Sequence, residues 1–345
     1  MSGGRGGVGR GSRARADPPL LSPSQARALP SLPPPSPSFT DTLTALTALA
    51  AAAAPPLLDA LLTWRKDALA GVPAGDDEAV LGGRLAAESV FLDAAAAVAA
   101  ARGSGDGDGD ASSAPPSSHL LAERQAAALQ ALALDWIMHS LAYAPARHAG
   151  LAPVRAAVVA GAARVLAALA PARLRAVTAA AAAEIDARLD EDSASIRGEL
   201  LALVSALGGV RLSFDSDAAA DAATDFVAAL HPLRARAAVR KSQVSHALAD
   251  ALGQVLGALA DAGGVPGAAL SLAALDRWRR GAASLRRDTG AWLARHPSKH
   301  AKSALPLLTA ALACEGDVAF AEGAPAVVAA LHRSVRDRGA RAAAA

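Results

Sequence analysis

Six features of this 345-residue chain have residue types or spacings from which chemistry is ordinarily built. Asp76, Asp77 and Glu78 form an acidic triplet of the kind that holds magnesium on a helix in all-α prenyl-transfer enzymes. That reaction needs a second acidic cluster across a cavity and aromatic rings around a carbocation, and only 3% of this chain is aromatic. His296 and His300 stand four apart, a zinc-ligand spacing on one helical face, but Pro297 between them starts a new helix and removes the shared face. Asp106, Asp108 and Asp110 supply the first acidic positions of a calcium loop; Ala111 stands where the turn needs glycine and Ser117 where the ion needs a bidentate glutamate. Residues 4–9, G-R-G-G-V-G, fit a dinucleotide fingerprint with no strand before them and no helix after them. Cys314, the single cysteine, excludes an intrachain disulfide, fits a reducing compartment and reads as a small buried apolar residue. His246 lies beside an apolar stripe and reads as a partly buried hydrogen-bonding residue rather than a base. The chain has no phosphate loop, H-E-x-x-H pair or G-x-S-x-G elbow.

The elements that would position these groups are helices. Apolar residues make up 52% of the chain and alanine dominates them; alanine loses no side-chain entropy on entering a helix. It also buries little area, so each helix needs neighbours on both sides. Leu57, Leu58, Leu61 and Leu62 follow Pro55 and Pro56, which suit a first helical turn. Ile196, Leu200, Val204 and Leu207 form a stripe that stops at Gly208 and Gly209. Val244, Leu248, Leu252, Val255, Leu256 and Leu259 recur at three and four. Gly263, Gly264 and Pro266 break the chain before a helix holding Trp278 and Trp292, and the four tryptophans read as core anchors. Pro306 predicts a kink or division in the helix around it. Residues 210–214, V-R-L-S-F, are the one strand candidate, too isolated for a sheet. The pattern predicts ten or eleven helices in an all-α fold, an α-solenoid of degenerate HEAT/armadillo-like antiparallel helix pairs of about forty residues each, with no motif at a fixed period.

Residues 1–38 are rich in Gly, Arg, Pro and Ser and predict a disordered tail, with some transit-peptide character and a proline run at 33–37 suited to a linker or an SH3 or WW ligand. Residues 103–118 predict a disordered, solvated insertion within a helical domain at 39–345. The best membrane candidate, residues 42–58, is short, rich in Ala and Thr and interrupted by two prolines, so no transmembrane helix is predicted. Net charge is +2, unevenly spread: residues 231–345 hold 16 basic against 8 acidic side chains, a surplus of eight against a deficit of six before them.

A set of short blocks resembles the Furry-type cell morphogenesis proteins. The fullest is residues 299–317, where Lys299, His300, Pro306, Leu307, Thr309, Leu312, Cys314, Gly316 and Asp317 match the family pattern and Leu305 replaces its usual aromatic. Residues 61–66 (L-L-T-W-R-K), 85–91 (L-A-A-E-S-V-F), 135–137 (D-W-I), 175–178 (R-A-V-T) and 208–211 (G-G-V-R) follow the family order. So do Lys241-Ser242 with His246-Ala247-Leu248, and Leu331 with Arg336-Asp337-Arg338. The blocks cover roughly residues 55–341 and resemble the N-terminal region of a much longer protein.

The resemblance implies a non-enzymatic scaffold for cell morphogenesis and polarised growth, with an NDR-type protein kinase and its Mob co-activator as partners, linked to microtubules or actin. It implies a cytoplasmic location, at the cell cortex or sites of polarised growth, and no cofactor. The basic C-terminal half is the expected docking face, with Lys241, Lys299, Lys302, Arg336 and Arg338 as candidates for acidic partners. Two other classes compete. An organelle helical-repeat RNA-binding protein would use the Arg-rich tail and basic half, but shows no base-reading side chain recurring by repeat. An all-α enzyme would need the acidic cluster that Asp76 and Asp77 lack.

Overall fold

Alanine-rich helices separated by glycine and proline punctuation build this protein. The computed structural model describes residues 37–71, 77–101, 121–143, 148–191, 193–261, 270–295, 297–316 and parts of 321–336, all within one unit, Pro37–Ala345. Residues 1–36 of the predicted tail, the insertion at 103–118, Asp76, His296, Asp317 and Arg338 lie outside the described residues, and residues 37 and 38, expected in the tail, instead open the first helix. The main helices are α1 (Pro37–Ala70), α2 (Glu78–Ala100), α3 (Glu123–Tyr143), α4 (Ala152–Arg188), α5 (Ala194–Gly208), α6 (Asp217–Arg240), α7 (Ser242–Asp261), α8 (Leu272–Arg295) and α9 (Pro297–Glu315). A short 3-10 turn, Ala149–Leu151, precedes α4. No strand occurs among the described residues, and 210–214 instead run as an irregular strap whose Val210 and Phe214 are buried.

Three helices are broken within: α3 at His139 (φ −124°, ψ 16°), and the two longest, α1 and α4. Ala53 (φ −153°, ψ 54°) interrupts α1 just before Pro55 and Pro56, so the prolines occupy the opening turn of a second arm, where a missing N–H costs nothing. Arg173 (φ −134°, ψ 28°) interrupts α4 two residues after Pro171. Side chains of α3 staple that break: Arg173 pairs with Glu123 and donates from Nε to Gln130 Oε1 (3.3 Å), while Gln130 Nε2 donates to the Ala176 carbonyl (3.2 Å). The helix is not divided at Pro306, and α9 runs through it as one helix. Pro306 is exposed, so the carbonyl it leaves without a donor lies on the solvent side. By length and composition alone, Phe39–Ala70 and Ala152–Arg188 could cross a membrane, against the sequence reading. Each is interrupted near proline, and α4 places Val158, Val165, Leu169, Val177 and Ile185 in the protein core.

Packing follows a regular rule. Each helix from α4 to α9 touches its sequence neighbour or the next but one: α4 meets α5 and α6, α5 meets α7, α6 meets α7 and α8, and α9 meets α7 and α8. Next-but-one neighbours run parallel in fixed register, and charged side chains mark it. From α4 to α6, Arg175 Nε reaches Asp225 Oδ2 (2.8 Å), Asp186 pairs with Arg236, and Asp190 Oδ1 with Arg240 Nη1 (3.4 Å), each pair fifty residues apart. From α6 to α8, Asp217 Oδ1 accepts from the Ser271 N–H (2.8 Å) and Asp221 pairs with Arg277, at offsets of 54 and 56. The forty-residue unit expected from sequence is thus fifty or more, because α6 and α8 each have 24 residues and α7 has 20.

The core is one continuous cluster reaching from Ala50 to Cys314. Its largest anchor, Trp278, is 1% exposed, meets Phe214 edge-on at 4.8 Å and donates its indole N–H to the Cys314 carbonyl at 3.1 Å. Where alanine and glycine face each other, helices come close: a Cβ on Gly161 of α4 would lie 2.9 Å from Leu92 Cβ of α2. At the other end Arg65 grips Glu88 through two hydrogen bonds (2.8 and 2.5 Å), and the guanidinium lies 5.4 Å from the Phe91 ring centroid. Glu88 is 3% exposed, so removing its partner strands a carboxylate in the interior.

Two outcomes follow for purified protein in chemical denaturation. Arg65→Met costs about 3 kcal/mol, the range for breaking a buried pair, and adding Glu88→Gln restores part of it. Gly161→Val overpacks the α2–α4 contact and costs about 2 kcal/mol, whereas Gly198→Ala, inside α5 where a Cβ meets nothing, stabilises by up to about 1 kcal/mol.

Candidate functional site

Titratable and aromatic side chains gather where α6, α7, α8 and α9 meet. Trp292 of α8 stacks on His300 of α9 at 4.5 Å and 28°, and its other ring contacts are the Arg234 guanidinium of α6 at 4.6 Å and His246 of α7 at 5.4 Å. The helical registers dictate this meeting: His246 and His300 are 54 residues apart on parallel helices, like Gly253 and Leu307 two turns further on. Arg234 is 3% exposed and Trp292 7%.

The hydrogen bonds fix the proton positions. His246 Nδ1 lies 2.7 Å from the Ser242 carbonyl, which only accepts, so Nδ1 carries the proton. In the neutral ring Nε2 then accepts, and its neighbour at 3.2 Å, His300 Nδ1, donates. Ser245 Oγ donates to the Arg234 carbonyl at 3.0 Å and is thereby occupied. The imidazoles face each other, an indole and a guanidinium, and the stack joins four helices.

One turn away, His231 Nε2 stands 3.6 Å from Asp288 Oδ2. Burial, and then the Arg234 charge, hold the His231 pKa below its ordinary value against the pull of Asp288. Burial also lowers the Arg234 pKa, again opposed by Asp288. A second polar cluster joins α3, α4 and α5. Arg188 reaches Glu184 Oε2 (3.3 Å), Glu199 Oε2 (3.5 Å) and His139 Nε2 (3.0 Å), and His139 Nδ1 lies 3.1 Å from Asp135 Oδ1. Glu199 is 8% exposed, and burial raises its carboxyl pKa although Arg188 and His139 pull it down.

The sequence candidates fall into place unevenly. Lys299 and Lys302 lie exposed on α9, one turn apart, and Arg336 is exposed. Lys241 is 8% exposed and its ammonium donates to the Glu191 carbonyl, so it ties the start of α7 to the end of α4 rather than facing solvent. Asp77 precedes α2 and Glu78 opens it, with His148 Nδ1 3.9 Å from Glu78 Oε2. No group of three metal-ligating side chains gathers among the described residues. Cys314 is buried, its Sγ 3.5 Å from the Leu256 carbonyl, and burial, with Glu315 beside it, pushes the thiol up to about 12. Sequence reasoning missed Arg234, His231 and the pairing of His246 with His300, because each partner lies on a different helix and only the register joins them.

Two measurements check these assignments. At pH 8 roughly one Cys314 thiol in ten thousand is ionised, so a thiol-reactive dye labels the native protein negligibly and labels it fully in guanidinium. For His231 the folded pKa lies below the unfolded value near 6.5, so the unfolded chain takes up the proton first and stability falls as pH drops through and below that value. The thermal midpoint therefore decreases from pH 7.5 to 5.5, and His231→Gln shows a smaller decrease.

The comparisons with known proteins agree with the resemblance read from the blocks. A family model described as Cell morphogenesis N-terminal matches residues 123–345, and the blocks at 61–66 and 85–91 lie before that stretch. No curated protein and no solved structure matches the chain. With nearly two thirds of its residues in the matched stretch, which includes His246, Trp292 and His300 of the four-helix junction, the chain belongs to the cell morphogenesis N-terminal family, as a Furry-like N-terminal region.

Proposed function

We propose that the chain is a non-enzymatic scaffold for cell morphogenesis and polarised growth, built as an α-solenoid of antiparallel helix pairs. The observation that carries this reading is the fixed register of parallel helices from α4 to α8, in a chain whose family is one of cell morphogenesis. An array of that kind offers a long surface and binds through many modest contacts, so it needs no catalytic constellation. The titratable clusters fit this role, since each joins side chains from several helices.

On this reading the partners are an NDR-type protein kinase and its Mob co-activator, with a link to microtubules or actin, in the cytoplasm near the cortex or at sites of polarised growth. Lys299, Lys302 and Arg336 are exposed and available to acidic surfaces. Arg338 stays a candidate on its sequence position alone.

The test is a pull-down from nuclease-treated cell extract with the full chain, quantified by mass spectrometry at low and moderate salt. Enrichment of an NDR-type kinase or Mob protein, reduced by Lys299→Glu with Lys302→Glu, is the expected result. Recovery of RNA-binding proteins that vanish on nuclease treatment, with no kinase or Mob protein, would replace it with the RNA-binding reading.

A further inference from the structure

The arginines of the helical array are mostly paired across helices: Arg175, Arg236, Arg240 and Arg277 each meet an aspartate on a neighbour, and Arg286 Nε meets Glu315 Oε1 at 2.7 Å. Helix α8 departs from this. Arg279, Arg280, Arg287 and Arg295 are exposed, and none enters an ion pair or hydrogen bond with the described residues. The buried face of α8 carries Ala274, Leu275, Trp278, Ala282, Leu285, Thr289, Trp292 and Leu293. Arg280 and Arg287, two turns apart, therefore project from the opposite side, about 10 Å from each other along the axis. Ala283 and Ser284 lie between them and Ala291 and Ala294 beyond, so the floor of the stripe is low. Asp276, one turn before Arg280, is the acid on that face, and Asp288 beside Arg287 turns toward His231.

We propose that this stripe of arginines and small side chains on α8 docks an acidic helix of a partner protein, one that presents carboxylates at the same two-turn spacing. The inference rests on the scaffold reading and gives it a specific surface. Two features favour a helix. The chain already uses a related mode internally, where Asp186 in the last turn of α4 and Asp190 just past its end take Arg236 and Arg240, one turn apart on α6. Small side chains between the arginines, Ala283 and Ser284, leave room for a second helix to pack closely against α8. Nucleic acid fits less well: both tryptophans of α8 are buried, leaving no ring there on which a base could stack.

Fluorescence anisotropy with the full chain tests the proposal. The probe is a labelled alanine-rich helical peptide with glutamates at i, i+4, i+7 and i+11; its glutamine counterpart, a labelled single-stranded RNA and phosphatidylserine vesicles are run alongside. The glutamate peptide binds at least about tenfold more tightly than the glutamine peptide, and Arg280→Glu with Arg287→Glu removes that difference. The exposed control pair Lys66→Glu and Arg124→Glu, with the same change in net charge, leaves it in place. Circular dichroism verifies that both double variants stay helical. Equal binding of the two peptides, equal losses in stripe and control variants, or stripe-dependent binding of RNA or vesicles alone would each overturn the proposal. A kinase or Mob protein still captured from extract in that event would leave the scaffold reading intact and remove only this surface.

Discussion

An alanine side chain removes little area from water, and the hydrophobic effect returns only about 25 cal/mol per Å² of what is removed. Helices made mainly of alanine must therefore come close together and touch neighbours on more than one side before the cost of ordering them is met. The near contact of Gly161 with Leu92, the passage of Gly253 across the Leu307 backbone, and the core that runs unbroken from α1 to α9 all answer that requirement. The few large residues are spent at junctions: Phe91 under Arg65, Phe214 and Trp278 where the 210–214 strap crosses to α8, Trp292 between Arg234 and His300.

Thin apolar contact does little to hold register, since one alanine looks much like the next along a helix. Polar ties supply what packing cannot. Arg175 with Asp225, Asp186 with Arg236, and Asp221 with Arg277 are largely exposed, and each adds at most about 1 kcal/mol. Their effect is to penalise a slip of one helix past another, which would bring like charges together. The buried clusters do the same at greater cost for error: a displaced Arg234 or Glu88 would be a charge in the interior without its partner.

Much of this was legible in the amino-acid sequence, for reasons tied to particular residues. Val244 through Leu259 are buried as their spacing requires, α5 ends at Gly208, and the prolines at 55 and 56 open an arm of α1. Residues 61–66 and 85–91, noticed only as family-like blocks, prove to grip each other through Arg65 and Glu88, and the blocks at 241–248 and 299–317 meet through His246 and His300. The register was hidden because its partners are opposites: fifty residues on from Arg175 stands Asp225, and from Asp186 stands Arg236, so no residue type recurs for a search of repeats to find. The helical passage through Pro306 was also illegible, since it depends on which side of α9 the ring faces. Exposure of Lys299 but not Lys241 could not be told from composition, as both are lysines beside apolar stripes.

The interruption at Arg173 gives α4 a mechanical character. Its first arm is wedded to α2, its second to α3 and α6, and the two arms share one continuous run of chain. A helix bends little over such lengths, so the second arm, about 22 Å long, acts as a lever whose fulcrum is a single pair of dihedral angles. Turning that fulcrum by about 10° would carry the far end through about 4 Å and, through the ties at Asp186 and Asp190, drag α6 with it. Glu123 and Gln130 on α3 hold the fulcrum in place. Tension applied to either side of this protein would thus converge on two side chains of a third helix, the point at which the array yields or holds.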